Sequence, residues 1–161
     1  MSDTIQPLWH HAEFWITSLV GTAATVEDLA RRTISNWLPA TALAGGIVYQ
    51  TWSSGWLGLG QSLLGAVVGF LVFLIFYVLG GMGGGDVKLM AGFGAVLGLS
   101  RVLWAAFWTA LVGGILAAAV LGVAAVIARM KPASESKPSP VAIPYAPAIV
   151  AGVWLTLLSG N

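Results

Sequence analysis

Gly80-Gly81-Met82-Gly83-Gly84-Gly85-Asp86-Val87-Lys88-Leu89-Met90 lies between two long apolar runs. Five of the six residues before Asp86 are glycine, and Asp86 is one of only six acids in 161 residues. Glycine weakens a helix interior by about 1 kcal/mol relative to alanine. This density predicts a break between two helices, with bare backbone around a single carboxylate. Bare backbone lets a second chain approach, and a neighbouring acid can then do chemistry on it. The same residues also fit a purely structural role, a glycine turn whose aspartate caps the next helix.

Composition narrows the setting. Apolar residues make up 58% of the chain and charged residues 8%, against about 25% charged in soluble domains. Mean hydropathy is +0.89. Such a chain cannot cover a water-facing surface, so it reads as an all-α integral membrane protein. At about 20 residues per span, five or six helices fit, forming one membrane-embedded domain over residues 1–161. A net charge of +1 gives no reason to expect nucleic acid. Without cysteine there is no thiol catalysis, disulfide or cysteine-based zinc site. His10 and His11 are adjacent and would face different sides of a helix, a poor metal pair. The N-terminus has no basic n-region and does not read as a cleaved signal peptide.

Six segments follow in order: Trp9 to Val26, Trp37 to Trp52, Leu57 to Leu79, Asp86 to Leu99, Val102 to Ala128 and Tyr145 to Ser159. The fourth reaches only about 21 Å at 1.5 Å per residue. Between the first two lies a polar, basic stretch, Glu27 to Asn36; Ser53-Ser54-Gly55 reads as a turn. Four prolines between Lys131 and Pro144 forbid a helix there. Gly65 and Gly69, and likewise Gly94 and Gly98, have the four-residue spacing that lets membrane helices pack closely.

Lys and Arg favour cytoplasmic loops. With both termini outside and six spans, the inner side holds Arg31, Arg32, Lys88, Arg129, Lys131 and Lys137, and the outer side only Arg101. This arrangement puts Asp28 and Asp86, 58 residues apart in sequence, at the same cytoplasmic face. Acids near a bilayer are expensive and mark function. Two close carboxylates share a proton, so that one can activate water while the other protonates a carbonyl oxygen.

These residues resemble a known family. Gly83-Gly84-Gly85-Asp86 fits the GxGD motif of membrane aspartic proteases, and the run through Met90 is similar to the type IV prepilin peptidases. Their first aspartate stands in a pattern of Asp, six residues to Ile, then Pro-Asn. Asp28 is followed at that spacing by Ile34-Ser35-Asn36, with Ser35 in place of the proline. Ile143-Pro144-Tyr145-Ala146-Pro147-Ala148 also resembles the family. In the presenilin-type sister group a tyrosine precedes the first acid, whereas here it is Glu27.

The resemblance implies a small-form peptidase without a methyltransferase domain. It would remove the basic leader from type IV (Flp/tight-adherence-like) prepilins or pseudopilins at the cytoplasmic face of the bacterial inner membrane. Asp28 and Asp86 would be the catalytic pair and Gly83, Gly84 and Gly85 the active-site loop. Lys88 and Asn36 are candidate supporting residues. No cofactor or metal is implied, and the partners are the prepilin and the bilayer. On the residues alone, Lys88 points away from Asp86 and snorkels to the headgroups, and Glu27 is a solvated neighbour of Asp28. Two other readings are a small transporter or proton-relay subunit, whose acids belong midway along helices, and a non-catalytic assembly component of a secretion system.

Overall fold

The computed structural model describes residues 12–130 and 145–159. His10, His11, the proline-rich loop and Ile143-Pro144 fall outside them. The fold is all-α, as its composition predicts: α1 (Ala12–Arg31), α2 (Trp37–Val78), α3 (Gly84–Met130) and α4 (Ala146–Ser159). Among the described residues there is no strand.

Four helices, not six, result because two expected boundaries are single glycines rather than loops. Gly55 interrupts α2 (φ 59°) and Gly98 interrupts α3 (φ 78°). Both lie in the left-handed region that favours glycine. The chain doubles back at each. A methyl group placed on Gly58 would collide with the Gln50 carbonyl, although eight residues of straight helix span about 12 Å. Past Gly98 the chain likewise returns, so that Val102 packs beside Gly94 and Gly69. The second leg of α2 runs antiparallel to the first leg of α3. Gly65 meets the Gly94 carbonyl, and Gly69 meets that of Met90, 2.8 Å from the position a Cβ would take. The four-residue glycine spacing thus acts as expected, bringing backbones into contact.

The break at Gly98 leaves backbone groups without helical partners, and a buried one left unsatisfied is costly. Side chains satisfy them. Gln50 Nε2 donates to the Val96 carbonyl (2.8 Å), Arg101 Nε donates to that of Leu97 (3.1 Å), and Gln61 Oε1 accepts from the Leu99 N–H (3.3 Å). Arg101 also pairs with Glu13 at 2.8 Å, tying α1 to the reversal.

Burial is inverted relative to a soluble protein. Thr17, Ser62, Thr109, Thr156 and Gln50 are buried, whereas Leu57, Ile75, Ile115 and Val126 are exposed. Trp37–Val78 and Gly84–Ile127 are long and apolar enough to cross a membrane, and their most apolar stretches are only 22% and 6% buried within the protein. A soluble core helix would be mostly covered, and these stretches are not. Buried Phe73, Phe93, Leu89, Met90, Leu97 and Ile149 form the core.

α1 continues past the expected end at Val26 through Arg31. Leu29, Ala30 and Arg31 are good helix formers, and a basic residue suits a helix C-terminus. Asp28 is therefore in the last turn of a helix, not in a polar loop. Likewise Gly84 and Gly85 belong to α3, so the turn is shorter than the glycine run.

Candidate active site

The glycine run closes one helix and opens another. Gly80 has φ 76°. Gly80 N–H donates to the Tyr77 carbonyl and Gly81 N–H to that of Phe76, both at 2.9 Å. This is a Schellman closure of α2 with glycine in the left-handed position. Three residues later Gly83 caps the start of α3. Its N–H donates to Asp86 Oδ2 (3.1 Å), while the Asp86 N–H donates to the Gly83 carbonyl (3.2 Å). An acid at the third helical position, in the first turn, reaching back to the N-cap amide is half of a capping box. The structural reading of Asp86 therefore holds for one oxygen. Asp86 Oδ1 is buried with no partner, and buried polar groups are seldom left so.

Asp28 takes a parallel role on another helix. Its Oδ2 accepts from the Ala146 N–H, the first of α4, at 3.1 Å. Both aspartates are buried, at 7% and 6% exposure. They line one cleft of about 420 Å³ together with Arg32, the 80–83 backbone, Leu121 and Tyr145. Sequence placed these acids at one end of the molecule, and the fold brings them to one cavity. Gly83 and Gly81 line that cleft; Gly84 and Gly85 do not. Gly85 instead meets Ile34, whose Cβ lies 3.1 Å from where a Gly85 Cβ would sit.

Lys88 and Asn36 do not reach the cleft. They meet each other: Lys88 Nζ donates to Asn36 Oδ1 at 2.8 Å. The exposed Lys88 ammonium thus makes a specific bond between α3 and the start of α2. Asn36 stands at the N-cap of α2 yet makes no side-chain capping bond, because its oxygen serves Lys88.

Glu27, beside Asp28, also has a specific partner. Its carboxylate accepts from the Ser35 N–H (2.9 Å) and from the Ser35 hydroxyl. The Ser35 hydroxyl, then the Ser35 N–H, hold the Glu27 carboxyl below its ordinary range. A depressed carboxylate contributes stability at neutral pH and loses it as pH falls through the acid range. Proline has no N–H, so a proline at position 35 could not make the backbone half of this bond.

Sequence reasoning missed Arg32 and Met82 as cleft residues, and the partnership of Ala146 with Asp28. Arg32 had one available signal: it follows the last residue of α1, where a helix often turns left-handed. It does so with φ 53°, the only non-glycine described with positive φ.

Several known proteins are similar to this chain. The type IV leader peptidase family model matches residues 15–130. The prepilin leader peptidase/N-methyltransferase of Aeromonas salmonicida (strain A449) is 31% identical over 165 residues, covering 98% of this chain and 53% of that protein. The protein of the same name from Aeromonas hydrophila matches to the same extent. Its namesake from Bacillus subtilis (strain 168) is 38% identical over 101 residues, 62% of this chain and 36% of that protein. The chain spans about half the length of the Aeromonas relatives it matches. No solved structure matches it. The family match contains both cleft aspartates and the glycine turn, and the chain belongs to the type IV leader peptidase family.

Proposed function

We propose that this chain is a membrane aspartic endopeptidase that removes the basic leader from type IV prepilins or pseudopilins, with Asp28 and Asp86 as its acid–base pair. One observation carries the reading: two buried carboxylates from different helices line a single cleft beside a glycine turn. One carboxylate takes a proton from water as the water oxygen bonds to the scissile carbonyl carbon. The other carboxyl gives its proton to the carbonyl oxygen. The tetrahedral species collapses as the C–N bond breaks: the carboxyl that took the water proton gives it to the leaving nitrogen, and a gem-diol hydroxyl returns a proton to the other carboxylate. Asp86 Oδ1 is the free oxygen suited to hold the water, while backbone amides fix the other oxygen of Asp86 and Oδ2 of Asp28.

The reversals at Gly55 and Gly98 divide the four helices into six legs, which we assign to six crossings of the bacterial inner membrane in a single domain. The Lys and Arg bias puts the cleft on the cytoplasmic side. A basic leader would reach it from the cytosol while the substrate's apolar helix stays in the bilayer.

The test is co-expression with a prepilin carrying a basic leader and an apolar helix, followed by mass spectrometry of the product. A single cut at the leader–helix junction is expected. Shifting that junction several residues deeper into the apolar segment should abolish it; cutting indifferent to that shift would refute the interfacial site.

A further inference from the structure

Segment 32–36 joins α1 to α2, and contacts from both α1 and α3 hold it. From α1, Glu27 grips Ser35 through both carboxylate oxygens. From α3, Lys88 donates to Asn36. Between these bonds, the Ile34 side chain packs on Gly85, one residue before Asp86. At its start, the Arg32 N–H donates to the carbonyl of Asp28 itself at 2.8 Å. The segment therefore forms a strut between the last turn of α1, which carries Asp28, and the first turn of α3, which carries Asp86. α1 and α3 otherwise pack mainly on other helices, with Asp28 bonded to α4 and the start of α3 lying against α2. α4, which holds Asp28 and packs on α3, links them indirectly; the segment links them directly beside the cleft.

We propose that Glu27 is a positioning residue of the aspartate cleft, setting the spacing of Asp28 and Asp86 by holding Ser35. The proposal rests on the peptidase reading above. Glu27 does not line the cleft, and both of its oxygens are engaged, so it acts through the strut and not on substrate. A misplacement near 1 Å at a reacting centre costs about a hundredfold in rate. Partial slackening of one tether should cost about tenfold.

Steady-state cleavage by the purified full chain tests this, with a fluorogenic peptide made of a lysine-rich leader, a glycine and a leucine-rich helix. Glu27→Ala should lower kcat about tenfold with KM within about threefold of the parent. Glu27→Gln should keep at least about half of kcat, because its carbonyl still accepts the Ser35 N–H and its amide can donate to the hydroxyl. If Glu27→Ala does not accumulate, Ser35→Ala carries the test; it removes only the hydroxyl bond and should lower kcat about two- to fivefold at constant KM. A raised KM with unchanged kcat would assign Glu27 to the basic leader and overturn the proposal. Equal losses in Glu27→Ala and Glu27→Gln would assign its effect to charge and overturn it too. Full kcat in Glu27→Ala or Ser35→Ala, beside a dead Asp28→Asn, overturns the strut and leaves the peptidase reading standing. Cleavage by Asp28→Asn instead removes the peptidase reading itself.

Discussion

Replacing Asp28 by asparagine separates its chemistry from its structural work. The carboxylate holds the first amide of α4, so deletion of the side chain confounds two losses. Asp28→Ala leaves the buried Ala146 N–H unpaired, which costs about 1–3 kcal/mol, and it frees the end of α4 beside the cleft. Asp28→Asn keeps an oxygen for that amide. It exchanges a charge-assisted bond of about 1.5–3 kcal/mol for a neutral one of about 0.5–1.5. Against this stands the relief of no longer burying a charge. The net change in stability should therefore stay within about 1 kcal/mol. Asparagine has no titratable proton for the exchange, and loss of general acid–base catalysis costs about 10²–10⁴ in rate, or about 3–5.5 kcal/mol of barrier. The same argument applies to Asp86→Asn, whose oxygen can still accept from Gly83. Tryptophan fluorescence during thermal unfolding in detergent should show both asparagine variants near the parent and Asp28→Ala below it. Mass spectrometry of a co-expressed prepilin should show no cutting by either asparagine variant. Residues that act as a unit are strongly non-additive, so the double variant should be no worse than either single one. A well-folded Asp28→Asn or Asp86→Asn that still cuts at more than about a tenth of the parental rate would refute the pair.

Three further outcomes follow from the helical framework. Gly65→Ala would press a methyl group into the Gly94 carbonyl and should destabilise by about 1–3 kcal/mol; Gly60→Ala, with open space around it, should stabilise by about 0.5–1 kcal/mol, both read by thermal unfolding in detergent. Arg101→Met strands the buried Glu13 and should cost about 3 kcal/mol or more, while adding Glu13→Gln should recover most of it, and failure of that recovery would show that the ion pair is not what Arg101 supplies. In this cysteine-free chain, Ser54→Cys should react with a membrane-impermeant thiol reagent on intact cells and Thr33→Cys should resist; the reverse labelling would invert the orientation.

What was legible in the sequence tracks how local its cause is. The all-α class, the glycine contacts at 65 and 94, and the placing of Asp28 and Asp86 at one end follow from composition, four-residue spacing and loop order. The reversals fall where sequence put a turn at Ser53-Ser54-Gly55 and a helix end at Leu99, but their form, single glycines rather than loops, was not legible. A polar side chain has to reach across from another leg to stabilise such a break, and Gln50, 46 residues before Val96, carries no local signal of that duty. The partners of Glu27 and Lys88 escaped the sequence for the same reason. Each was judged against its own helix, while its partner lies on the 32–36 segment.

The two readings of the glycine run, helix cap and chemical site, are not rivals in the folded chain. Each aspartate spends an oxygen on a backbone amide at the start of a helix: Asp86 on Gly83 for α3, Asp28 on Ala146 for α4. Each cap fixes its side chain's orientation with a bond that needs no second side chain, leaving the remaining oxygen available. That division explains why the acids lie at helix ends, where a proton relay through the bilayer would place them midway. A helix end is where amides without intrahelical partners exist to hold a carboxylate, and the adjoining turn is where the backbone opens to a cleft. Glycine joins the two demands, closing α2 through Gly80 and leaving Gly81 and Gly83 in the cleft wall without side chains to block it.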